Sequence, residues 1–151
     1  MVNQKYAAQA VNMAQNMPNL EMGLHLNLTN EKPAANPAEI PLLVGADGKL
    51  KNGFVNLLLL SVLKPKQFRT QVAKEVWAQT QKYLAFGLPL KHIDGHRHVH
   101  LIPAVFQEVK KIAEAHQGAR IRIMNENIFN TIRQNKSKSW LFDGGGIKYI
   151  I

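Results

Sequence analysis

The stretch His92-Ile93-Asp94-Gly95-His96-Arg97-His98-Val99-His100-Leu101 carries four of the chain's six histidines. His92, Asp94, His96, His98 and His100 share one parity, and Ile93, Gly95, Arg97, Val99 and Leu101 hold the other. Successive side chains on a strand point to opposite faces. Read as a strand, this stretch therefore turns four imidazoles and one carboxylate to the same side. Such a face is costly to bury unless it is hydrogen-bonded or metallated. Neutral imidazole is a common ligand for divalent transition metals, and an aspartate either supplies a hard oxygen or orients an imidazole from behind. Gly95 leaves room for a metal, a ligand or a second backbone to come close. The bland reading makes each histidine a satisfied core or surface residue. It accounts less well for five ionisable groups at period two, and a His-rich tract is itself a metal-binding signal.

The flanks place this strand in an α/β chain. After it, Pro103 opens a helix with Val105, Phe106, Val109, Ile112 and Ala113 inward, ending near Gly118. Arg120-Ile121-Arg122-Ile123 then alternates as a strand. Before it, residues 65–86 read as a helix: Pro65 suits a first turn, and Phe68, Val72, Val76, Gln79 and Tyr83 mark one face, with Trp77 and Leu84 beside it. Gly87 and Pro89 stop that helix. Residues 30–53 hold three prolines and no helical period, and read as a long loop with a turn at Ala46-Asp47-Gly48. Residues 21–29 alternate, with Met22, Leu24, Leu26 and Leu28 on one side and Gly23, His25 and Asn27 on the other. Residues 5–15 space Tyr6, Ala7, Ala10, Val11 and Ala14 as a helix that Pro18 ends. Strands separated by helices imply parallel βαβ units.

The two ends suggest a piece of a larger α/β fold. The chain opens on a helix with no preceding strand to pack upon. It closes on Gly144-Gly145-Gly146 followed by Ile147, Tyr149, Ile150 and Ile151, a run that normally begins a buried strand. The expected organisation is one domain over residues 1–151.

Composition narrows the classes. With 151 residues, 46% of them apolar, the chain can bury one core. It has no cysteine, which excludes disulfides and thiolate zinc sites and leaves His, Asp and Glu to hold any metal. The longest apolar stretch, residues 54–63, is broken by Asn56 and Ser61 and falls far short of the ~20 residues of a membrane span. The start has no apolar signal region, so a soluble, cytoplasmic protein is the expectation. The net charge is +9, but the basic residues are scattered and no aromatics interleave them. A solvated surface is favoured over a nucleic-acid face.

His25 lies in Gly23-Leu24-His25-Leu26-Asn27-Leu28-Thr29, and its weight comes from pairing with the second cluster. Sites in α/β sheets gather at the carboxyl ends of strands, where both His25 and His96 fall. Together with Lys32-Pro33 and the block His92-Ile93-Asp94-Gly95-His96-Arg97-His98-Val99-His100-Leu101-Ile102-Pro103, this segment resembles the YdjC/ChbG family of carbohydrate deacetylases. The order of the blocks and the spacing between them resemble that family too, over roughly residues 2–126; the tail after Asn127 matches poorly.

The resemblance implies a distorted (β/α) barrel and metal-dependent removal of N-acetyl groups from sugars such as chitooligosaccharides. It implies a divalent metal, magnesium or zinc, held by one Asp and two His. Here His25 matches the first His ligand and His96 the second. The family's Asp ligand and base belong to an Asp-Asp-Phe-Gly block on the first strand, and a His-Pro element comes later; neither occurs in this sequence. The resemblance thus implies an incomplete member. General-base help is typically worth ~10²–10⁴-fold, so its loss is expected to cut catalysis on that scale. Asp94 then stands as a substitute base or as the group that orients an imidazole, and His98, His100, Asn27 and Arg122 are the candidates to meet substrate. The competing readings are an inactive member that associates with copies of itself to cover sheet edges, and a basic module for a polyanion.

Overall fold

The computed structural model describes residues 1–123 of the chain. Four α-helices and three short strands follow one another as α1 (Ala7–Gln15), β1 (Leu24–Leu26), α2 (Phe54–Leu63), α3 (Pro65–Leu84), β2 (His92–Gly95), α4 (Pro103–Ala115) and β3 (Arg120–Ile121). The strands form one parallel sheet in the order β1-β2-β3. Parallel neighbours need a long crossover between them, and helices supply it here. The α/β class and the parallel strand order match the expectation.

The α3 helix shows how the sequence imposes its burial. Phe68, Val72, Val76, Gln79 and Tyr83 are all buried, as their 3–4 spacing requires, while Trp77, about 100° round the helix from Val76, stays half-exposed. Each such apolar side chain contributes ~1.5–3 kcal/mol by leaving water. On α4, Val105, Val109, Ile112 and Ala113 are buried and Phe106 is half-buried. Leu24, Leu26 and Leu28 join these helices in one core with Ile93, Val99 and Ile102. Of the α1 helix only Val11 and Ala14 are buried.

Three expectations need correction. First, the alternating His stretch is not one strand. The strand stops at Gly95, and His96–Leu101 forms a 3-10 helix in which Arg97 (φ 51°) and His98 (φ 58°) are left-handed. The five polar side chains therefore do not share a face beyond Asp94. The pairing explains the stop: β1 offers only Leu24, His25 and Leu26, matched to Ile93, Asp94 and Gly95. Second, residues 54–63 form a helix that the sequence order had left out. Its apolar residues run without a period, and only Phe54 and Leu57 are buried. Third, the long loop is not bare. Asn36 Oδ1 accepts the Ala38 N–H at 3.1 Å and starts a short 3-10 turn, Pro37–Glu39. Val44 and Leu50 pair in an antiparallel bridge around the expected turn, where Asp47 Oδ1 accepts the Lys49 N–H. Ile40, Leu43, Val44 and Leu50 are buried, so the segment is tied to the core. The strand expected at residues 147–151 lies outside the described residues.

Candidate active site

Directly paired residues of neighbouring strands point to the same face of a sheet. His25 of β1 pairs with Asp94 of β2, one residue before each strand ends. The result is a hydrogen bond of 2.7 Å between His25 Nδ1 and Asp94 Oδ1. A carboxylate only accepts, so Nδ1 carries a proton, and in the neutral ring the lone pair is then on Nε2. Both side chains are partly open, 35% and 22% exposed. The His96 ring lies next to that of His25, with centroids 5.7 Å apart and planes at 74°. His96 reaches this place because the chain turns into the 3-10 helix straight after Gly95. Arg122 follows β3, anchored by its N–H to Ile93 O at 3.0 Å. Its exposed guanidinium stands 3.9 Å from Asp94 Oδ2.

The donor set suits a divalent ion in part. An imidazole whose Nδ1–H is held by a carboxylate, with Nε2 presented outward, is the arrangement of a metal-ligating histidine. His25 has the carboxylate-held Nδ1, and His96 brings a second imidazole beside it. Among the described residues no three His, Asp or Glu side chains are grouped to hold an ion.

The other candidates divide. His98 is half-buried in the 3-10 helix, its ring 6.1 Å from that of His100. His100, expected against substrate, is fully buried. Its Nε2–H donates to Arg122 O at 2.8 Å, and burial lowers its pKa below the usual imidazole value. A neutral, buried imidazole tying β2's exit to β3's is the outcome. Asn27, also expected against substrate, is likewise fully buried. Its Oδ1 accepts from Thr29 N and Thr29 Oγ1 at 3.0 and 3.1 Å, and its Nδ2 donates to Asn30 O at 2.7 Å. This Asx-type turn bends the chain as it leaves β1.

Two glycines are close-approach positions. A Cβ on Gly95 would stand 2.6 Å from His100 Nδ1 and 3.0 Å from its backbone N. A Cβ on Gly23 would overlap the His92 ring. The sequence reading expected close approach at Gly95 but missed Gly23. It also missed Glu75, a fully buried carboxylate on α3; the signal was a glutamate four residues before Gln79, along the apolar stripe. A separate cavity of about 530 Å³ lies at the amino ends of the strands, lined by Glu21, Lys91, His116 and Arg120 among others. It is remote from the His25–His96 pair.

Comparison with known proteins gives the family. The chain is 33% identical over 117 residues to a carbohydrate deacetylase of Brevibacillus brevis, an alignment covering 78% of this chain and 44% of that protein. It is 27% identical over 132 residues to a chitooligosaccharide deacetylase of Salmonella schwarzengrund, covering 86% and 48%. The chain thus spans about half the length of the curated relatives it matches. A crystal structure from Enterococcus faecalis, of a protein provisionally named for cellobiose-phosphate cleavage, superposes with a TM-score of 0.69 at 24% identity. That superposition covers 94% of this chain and 50% of the other, and it speaks for the fold alone. The profile of the family described as YdjC-like protein matches residues 1–146, so the likeness runs well past Asn127, where the sequence reading had let it fade. The chain belongs to the YdjC-like family.

Proposed function

We propose that the protein acts in hydrolysis of the N-acetyl amide of a sugar or oligosaccharide, with His25 and His96 as imidazole ligands of a divalent ion, magnesium or zinc. The observation that carries this reading is the His25–Asp94 hydrogen bond with the His96 ring beside it, at the carboxyl ends of paired parallel strands. The carbohydrate deacetylases among its relatives support the substrate class. The three-stranded parallel sheet with flanking helices is compatible with an arc of the distorted (β/α) barrel that the family resemblance implies.

The ion, when bound, supplies Lewis acidity toward the acetyl oxygen and toward a water. The chain's own residues prepare the place. Asp94 holds the His25 Nδ1–H and so favours the tautomer that leaves Nε2 for an ion. One Asp94 oxygen is held by His25 and the other is flanked by Arg122, a placement in which Asp94 orients the His25 ring. Arg122 puts an exposed cation at the rim, where it faces polar or anionic substrate groups. His98 stands at the same end, whereas His100 and Asn27 shape the backbone beneath. Among the described residues no helix is long and apolar enough to cross a membrane.

The test is metal content by elemental analysis, paired with acetate release from N-acetylated oligosaccharides. The expected result is metal bound by the wild type and lost in both His25→Ala and His96→Ala. Wild-type protein that takes up neither zinc nor magnesium overturns the metal assignment.

A further inference from the structure

Gln79 is fully buried on α3, and both ends of its amide reach a backbone. Its Oε1 accepts the Asn27 N–H at 3.0 Å, and its Nε2 donates to Asn27 O at 2.5 Å. One side chain thus takes both hydrogen bonds that a neighbouring strand would make to Asn27, two residues beyond His25 and just past the end of β1. The Nε2 also donates to Glu75 Oε1 at 2.7 Å. Glu75 in turn accepts from Ala34 N at 2.9 Å and Ala35 N at 2.9 Å. A carboxylate can only accept, so Glu75 dictates which end of the Gln79 amide carries the NH₂. That choice matches the N–H and C=O of Asn27. The helix therefore pins both ends of the excursion from Asn27 to Ala35.

We infer that Gln79 is a positioning residue for His25, with Glu75 setting the orientation of its amide. Without this clamp the strand end has no partner at Asn27 on the α3 side, and the His25 side chain loses its register opposite Asp94. The metal arm of the test rests on the proposed deacetylase reading; the resonance arm does not.

The test compares Gln79→Met, which keeps the volume but loses the amide, with Val76→Ala, which disturbs the same buried helix face without touching Asn27. Zinc titration by calorimetry and the imidazole ¹⁵N resonances of His25 are read on both, alongside thermal melting. The expected result is zinc affinity about 10-fold weaker and displaced His25 resonances in Gln79→Met, with both retained in Val76→Ala. Should Gln79→Met fail to fold, Glu75→Gln is the milder probe. Its amide forces Gln79 either to flip or to lose a partner, and His25 resonances are again expected to move. Unmoved His25 resonances, or equal displacement in Val76→Ala, overturn the inference. If the wild type takes no zinc, the metal reading falls and the resonances alone decide the clamp.

Discussion

His25 and Asp94 face each other across a directly paired position of two parallel strands, and their side chains meet at 2.7 Å. The bond joins the two blocks of sequence that carry the candidate site, 69 residues apart. It is partly open to solvent, so its contribution to stability is at most about 1 kcal/mol. Its use is orientation.

Replacing Asp94 separates orientation from stability. Asp94→Ala is expected to weaken zinc binding by about 10–100-fold, with little change in melting temperature. Asp94→Asn keeps an acceptor but lets either tautomer of His25 stand, and the expected loss is about 10-fold. Calorimetric titration and thermal melts on the same preparations check both.

The two close-approach glycines should respond differently to a methyl group. At Gly23 the obstacle is the His92 ring. Gly23→Ala is expected to cost about 1–3 kcal/mol, and His92→Ala in the same chain should recover most of it. At Gly95 the added Cβ meets the His100 backbone as well as its ring, so Gly95→Ala should cost a similar amount that His100→Ala does not recover. Denaturant melts of the two double-mutant cycles decide the matter.

Burial sets the sign of one pH dependence. His100 has its pKa lowered from an ordinary value of 6.5, desolvation being the main cause and the bond to Arg122 O opposing it. As pH falls below about 6.5 the unfolded chain takes up a proton that folded His100 resists, so its contribution to stability is present above that pH and is lost as the pH falls toward the folded pKa. His100→Gln, which still has an amide N–H for the Arg122 carbonyl, should flatten the profile between pH 7.5 and 5.5 in urea titrations.

Glu75 supports the loop that follows β1. Its carboxylate takes the N–H groups of Ala34 and Ala35 and one from Gln79, and burial still raises its pKa above the usual carboxylate value. Glu75→Ala leaves these donors without an acceptor, each costing ~1–3 kcal/mol where it stays dry. The expected result is a large drop in melting temperature and faster limited proteolysis between residues 30 and 53.

Much of this protein is legible along the chain because burial imposes a period. The stripe Phe68, Val72, Val76, Gln79 and Tyr83 names the inner face of α3, and the alternation Leu24, Leu26, Leu28 names the inner side of β1 and its exit. His25, Asp94 and His96 stand out from their residue types and their places near strand ends. The alternation from His92 to His100 reads as one strand only because parity cannot see where pairing stops. Three paired positions end β2 at Gly95, and packing around Val99, His100 and Ile102 holds Arg97 and His98 in a left-handed backbone that costs roughly 1–2 kcal/mol per residue by itself. The residue types and their spacing were enough to determine the α/β class, the parallel strands and the histidines of the candidate site. Only the tertiary structure decided that His96 turns toward His25 while His100 turns inward to Arg122, and that a glutamine from α3 holds the end of β1, because those outcomes depend on partners far away in sequence.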